Sequence, residues 1–148
     1  MNLKIWLNDK RIAEHRSSPG EIAELFLICD RDLEKANIPE LGPDWQLSIA
    51  HNAAIQAAKA ALAALGYRAR KEGQHYILLQ SLAFTVKMSQ DTIDQLNKFR
   101  EKRNISDYER AGMVTEYEAQ EMLTLAKKVR DEVEAWISAN YPHLIREV

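Results

Sequence analysis

The sequence predicts an all-α fold, an antiparallel bundle of about five helices. Three observations predict it. Apolar residues recur at helical spacing through long stretches; Ser, Thr, Pro and Gly punctuate those stretches at cap positions; and no convincing pair of strand-like runs intervenes. At 148 residues the chain fits one domain, large enough to bury a core without metals or disulfides. We read residues 1–148 as that domain, with a core over about 18–139, a short N-terminal arm at 1–16 and a tail at 140–148.

Each helix has its own signals. Ser17-Ser18-Pro19 supplies a serine cap and a first-turn proline, after which Ile22, Leu25, Phe26, Cys29 and Leu33 mark one face to about Ala36. Leu41-Gly42-Pro43 then leads into a long alanine-rich helix over about 44–65, stopped by Gly66. Its alanines imply close packing against neighbours. Gly73 opens a segment over about 74–86 that is apolar on most sides and is expected to be the most buried helix. Ser89 caps a helix running from about 90 to 103 or beyond, and Gly112 closes the segment that follows. Thr115-Glu116-Tyr117-Glu118 is a capping-box pattern ahead of Met122, Ala126, Val129, Val133 and Trp136, so the last helix should reach about 139, before Pro142.

Composition narrows the function classes. Hydrophobic residues make up 46% and charged residues 28%, which excludes a disordered chain. The N-terminal apolar stretch is too short for a signal peptide and no run is long enough to cross a bilayer, so a cytoplasmic protein with no membrane partner is expected. The single Cys29 lies in an apolar run and reads as a buried, inert thiol. Formal net charge is −2, so any binding of nucleic acid must use a local basic patch.

The patch to consider surrounds Arg103. Ile93, Leu96 and Phe99 share a face, and at about 100° per residue Arg100 and Arg103 project within about 40° of its centre. A guanidinium continuing an apolar stripe must meet a carboxylate, a second subunit or a ligand, because burying it unpaired is too costly. Two readings stand: Arg103 pairs with Asp107 one turn later, or it belongs to a site. Lys98, Arg100, Lys102, Arg103 and Arg110 could hold phosphate, although lysines on such a cluster more often form a solvated face. His75 is a further ligand-binding or proton-transfer candidate and His51 a second, each alone more often structural; His15 and His143 are expected in solvent.

Phe99-Arg100-Glu101-Lys102-Arg103-Asn104-Ile105-Ser106-Asp107-Tyr108 resembles the signature of the HEPN superfamily, an Arg often followed by Asn and then, after four to six residues, by His. Pro43-Asp44-Trp45, His51-Asn52-Ala53-Ala54, Gly66-Tyr67-Arg68 and Gly73-Gln74-His75-Tyr76 extend the likeness over roughly residues 18–137, which is more specific than the short Arg-Asn motif alone. The resemblance implies a helical bundle that pairs into a homodimer, the Arg motifs of both subunits meeting in a cleft. In active members the Arg and His support metal-independent RNA cleavage, often as a toxin; others bind RNA, nucleotides or proteins.

Arg103 and Asn104 carry over, and Tyr108 stands at the histidine position after four intervening residues. An unperturbed tyrosine, at about 10, is a poor general base at neutral pH. Residues five apart on a straight helix also differ in direction by about 140°, so Arg103 and Tyr108 converge only if the helix breaks or a partner subunit completes the site. A tyrosine packed with its hydroxyl at the surface is the plain alternative. The resemblance thus implies an Arg103, Asn104 and Tyr108 site, with Arg100, Arg110 and His75 as ligand contacts, engaging RNA or a phosphate-bearing ligand and compatible with a toxin-type ribonuclease. The alternatives are an inert module docking a protein partner such as a nucleotidyltransferase antitoxin, or a purely structural helical dimer.

Other chemistries lack their residues. Glu72-Gly73-Gln74-His75 has the Glu-x-x-His spacing of di-iron bundles, without a second such motif. No paired-cysteine zinc motif, phosphate loop or nucleophile elbow occurs, so no metal or cofactor is expected. Trp45, Tyr67, Tyr76 and Trp136 read as core or dimer interface rather than a base-stacking platform, on the expectation that they come from separate helices.

Overall fold

A computed structural model describes residues 2–71, 73–108 and 112–145, the side chains of 105–108 excepted. Within them lie α1 (Leu3–Asn8), β1 (Ile12–Glu14), α2 (Pro19–Ala36), α3 (Pro43–Ala64), β2 (Tyr67–Ala69), α4 (Gln74–Ser81), α5 (Gln90–Tyr108) and α6 (Glu116–Asn140), with short 3-10 turns at Pro39–Leu41 and Pro142–Leu144. The fold is an α-helical bundle, as the periodicity predicts.

The expected caps are in place. Ser18 Oγ accepts from Glu21 N–H at 3.2 Å, Ser89 Oγ from Thr92 N–H at 3.3 Å, and Thr115 and Glu118 exchange the two bonds of a capping box. Each satisfies a helix N–H that the helix itself leaves open, which is why those starts were readable locally.

The centre of the bundle is α3, not the segment over 74–86. Alanines at 50, 53, 54, 57, 58, 60 and 61 are fully buried on several sides of α3, together with Leu47 and Leu62. Alanine lets neighbouring helix axes approach closely, and α2 and α6 pack along both flanks of α3. The later segment is shorter than expected as a regular helix. Beyond Ser81, i→i+3 bonds from Leu82, Ala83 and Phe84 tighten the turn, Lys87 takes φ +58°, and Met88 N–H closes onto the Leu82 carbonyl. The chain thus reverses at a lysine in the left-handed region.

A strand pair does occur, contrary to the sequence reading. β1 and β2 pair antiparallel with Ile12 opposite Ala69 and Glu14 opposite Tyr67, and His15 N–H to Gly66 carbonyl extends the ladder at 2.8 Å. Three residues per strand leave no periodicity to read, and the ribbon is held by Ile12, which is fully buried, rather than by alternation. The N-terminal segment is therefore structured: Trp6 is buried and meets Phe84 edge-on at 5.2 Å. His15, expected in solvent, is half-buried with Nε2 2.7 Å from the Glu21 carboxylate.

Polar ties fix the helices to each other. Asp32, almost buried on α2, accepts from Asn52 Nδ2 of α3 at 2.7 Å and from Arg31. Asp44, in the first turn of α3, accepts from Gly112 N–H at 2.7 Å and Val114 N–H at 3.3 Å, pinning the chain that enters α6. Arg130 of α6 reaches Asp30 of α2 at 2.9 Å. Cys29 is fully buried, and burial, then the nearby Asp30, pushes its thiol up to about 12, an inert side chain as expected.

Candidate functional site

Two turns of α5 and the first turn of α4 meet at one end of the bundle. Gly73, at φ +64°, swings the chain into α4; the left-handed region suits glycine. Among the described residues no side-chain cap reaches the first N–H groups of α4, and a helix start of this kind favours an anion. Next to them is an open cavity of about 300 Å³, bounded by His75 and Tyr76 of α4, Arg100 and Asn104 of α5, and Lys71 and Gly73 of the preceding loop.

Ile93 and Leu96 are fully buried and Phe99 nearly so, which holds α5 against the core and sets Arg100 and Arg103 half-buried at its boundary. Arg100 donates from Nε to Asn97 Oδ1 at 3.3 Å, and its guanidinium lies 5.7 Å from the centre of the Tyr76 ring. Arg103 does not line the cavity, but it is close enough to act on both histidines behind and beside it.

Those histidines come from α3 and α4, with ring centres 6.4 Å apart. His51 is fully buried and neither ring nitrogen has a hydrogen-bond partner. Burial, then the positive charge of Arg103, lowers its pKa to about 3; the Leu96 backbone opposes this without reaching ordinary hydrogen-bond geometry. His75 is half-buried, and its pKa is lowered by burial first, then by Arg103 and Arg100. Both imidazoles are therefore neutral at pH 7, beside two permanent cations. A neutral imidazole can take a proton, and the guanidinium groups favour an anion.

Of the residues singled out in the sequence, His75, Arg100 and Asn104 share the cavity and Arg103 adjoins it. Helix α5 continues unbroken to Tyr108, so the helix break that would turn Tyr108 toward Arg103 does not occur. The Tyr108 and Asp107 side chains lie outside the described residues, as does Arg110 altogether. Lys102, which the basic cluster included, turns instead to Glu118 at 3.2 Å. Trp45 is 65% exposed, while Trp136 packs edge-on against Tyr141 at 5.4 Å; Tyr67 stands on β2, so the four aromatics do not all come from helices.

The family assignment follows from a comparison with known domains: residues 22–136 match the profile of the HEPN domain. The chain belongs to the HEPN family. The match runs from α2 into α6, and so includes α3, α4 and α5, which build the cavity. No curated protein matches the chain. In this HEPN domain no helix among the described residues is long and apolar enough to cross a membrane, and no described group of three or more His, Cys, Asp or Glu could hold a metal ion.

What sequence reasoning missed is part of the company His75 keeps. The resemblance already grouped His75 with Arg100 and Arg103 as ligand contacts, but His51, 24 positions before it, has no local pattern that brings it to His75. The family segment Gly73-Gln74-His75-Tyr76 was the one signal that could have joined His75 to α5, since the glycine turn aims the first residues of α4 at α5.

Proposed function

We propose that this HEPN domain binds RNA through a phosphodiester seated between Arg100, Arg103 and the open N-terminus of α4, and that His75 supplies the proton transfer for metal-independent cleavage. The observation carrying this reading is the convergence of one neutral, half-buried histidine and Arg100 on a cavity open to solvent, with Arg103 adjoining it. Arginine forks suit phosphate oxygens, and unsatisfied helix N–H groups suit the same charge. Asn104, on the cavity wall, orients the bound group by hydrogen bonding.

RNA carries its own nucleophile. Removal of the 2′-hydroxyl proton by His75 lets O2′ attack the adjacent phosphorus; the P–O5′ bond breaks, giving a 2′,3′-cyclic phosphate and a 5′-hydroxyl that receives a proton. Arg103 and Arg100 stabilise charge gathering on the phosphoryl oxygens. In this reading the histidine comes from α4, not from the motif position that Tyr108 fills. A homodimer in which two such cavities face one another would make a longer cleft, and the two arms of one RNA strand could occupy both.

The test uses a non-cleavable 2′-O-methyl oligouridylate in chelator, with wild type beside Arg103→Ala. Loss of one charge-assisted phosphate contact, at about 1.5–3 kcal/mol, predicts at least tenfold weaker binding. Equal affinity of the two proteins would remove the arginine from the binding site and the reading with it.

A further inference from the structure

The cavity at His75 opens beside a second and larger one, about 550 Å³, and the two share Lys71, Gly73 and Tyr76 on their walls. The larger is bounded on its far side by Lys10 and Arg11, which lead into β1, and by Arg70, which follows β2. Four cationic side chains, and no acidic one among the described residues, line it. The whole chain has a net charge of −2, so this is a local concentration of positive charge against the average.

The ribbon explains how residues about 60 positions apart come together, and why their arrangement is costly without a ligand. Arg70 N–H donates to the Arg11 carbonyl at 3.1 Å, one step beyond the Ile12 and Ala69 pair, so the register sets Arg11 opposite Arg70. Like charges directly opposite on paired strands repel. None of Lys10, Arg11, Arg70 and Lys71 forms an ion pair among the described residues. Lys10 also adopts φ +60°, a left-handed conformation that a glycine or asparagine would hold more easily.

Between the two cavities stands Tyr76, 43% exposed, with one face toward Arg100. A ring there separates the cavities as a base-sized step, and successive bases on single strands stack on such rings.

We propose that the Lys10, Arg11, Arg70 and Lys71 cleft is a phosphate-tracking groove that carries a single nucleic-acid strand away from the His75 cavity, over Tyr76 and along the ribbon end. The direction of the strand rests on the RNA reading of the His75 cavity; the groove itself rests on its own four cations. The shared chemistry is a run of phosphates. A strand is favoured over a compact polyphosphate because the two cavities adjoin, sharing Lys71, Gly73 and Tyr76, so that cations line both and an exposed aromatic ring stands between them.

The experiment compares the full chain with Arg11→Gln/Arg70→Gln, which removes a repulsion and so should fold at least as well, and with Lys10→Asn, which eases the backbone. Probes are a 2′-O-methyl oligouridylate of about twelve nucleotides, uridine monophosphate and inorganic tripolyphosphate, each titrated across salt. The double variant is expected to bind the oligonucleotide at least tenfold more weakly, with a salt slope shallower by about 1.4, two contacts at about 0.7 each. Binding of the monophosphate should not change, and Lys10→Asn should bind the oligonucleotide more weakly while melting no lower. Unchanged oligonucleotide affinity in the double variant overturns the groove. Loss of tripolyphosphate binding alone overturns the strand in favour of a compact polyphosphate. If Arg103→Ala is silent while the double variant weakens the oligonucleotide, the groove stands and the reading of the His75 cavity falls.

Discussion

His51 has the most constrained chemistry of any described side chain. It is fully buried, neither nitrogen is satisfied, and its folded pKa of about 3 lies far below the ordinary 6.5. Between those values the unfolded chain binds more protons than the folded one, so the stability of the neutral state is whole above about 6.5 and lost progressively as pH falls toward 3. From about pH 6.5 to 4.5 that loss is roughly 2–3 kcal/mol. His51→Leu should flatten this dependence and, by removing two unsatisfied buried nitrogens, stabilise the protein at neutral pH by about 1 kcal/mol. Denaturant midpoints of both proteins at neutral and acid pH measure it. A leucine variant that is less stable at neutral pH, or that keeps the full acid loss, would mean that His51 is hydrogen-bonded in solution. Residues of this kind were only half legible. The sequence names His51 and His75, but their burial and mutual approach depend on how α3, α4 and α5 pack, which no local pattern records.

Elements were legible where their signals are local. Ser18, Ser89 and the Thr115 to Glu118 box announce helix starts because each cap bonds a backbone N–H within three residues. The run of alanines announces α3, but its rank as the central helix depends on what surrounds it, and the apolar residues of the segment over 74–86 pointed to that segment as the most buried. The strands escaped because three residues carry no period, and Lys10, Arg11, Arg70 and Lys71 escaped with them. Ala57 tests the packing account: it is fully buried on the helix that α2 and α6 flank. Ala57→Leu should force those helices apart and cost about 1–3 kcal/mol, seen as a lower urea midpoint with the slope unchanged. A variant as stable as wild type would show slack between α3 and its neighbours.

At the scale of the molecule, a chain of net charge −2 brings six of its 20 lysines and arginines, Arg100, Arg103, Lys71, Lys10, Arg11 and Arg70, to or beside two adjoining cavities. Binding to a polyanion must then depend steeply on salt and little on net charge, because the contacts are local. Light scattering at micromolar concentration is expected to give the mass of two chains, near twice 17.0 kDa. A single-chain mass would leave each cavity to act alone and remove the facing-cavity arrangement. The central claim is narrower: His75, brought in by α4, takes the role that the motif position filled by Tyr108 cannot. Metal-free cleavage of an RNA oligonucleotide, followed for wild type, His75→Gln and Tyr108→Phe in chelator, addresses it directly. Removing a general base costs about 10²–10⁴-fold, and a lowered histidine pKa places the acid limb of the rate below the ordinary 6.5. The account predicts that His75→Gln loses at least hundredfold while Tyr108→Phe stays within about threefold of wild type; cleavage lost in Tyr108→Phe and kept in His75→Gln, or no cleavage by wild type, would contradict it.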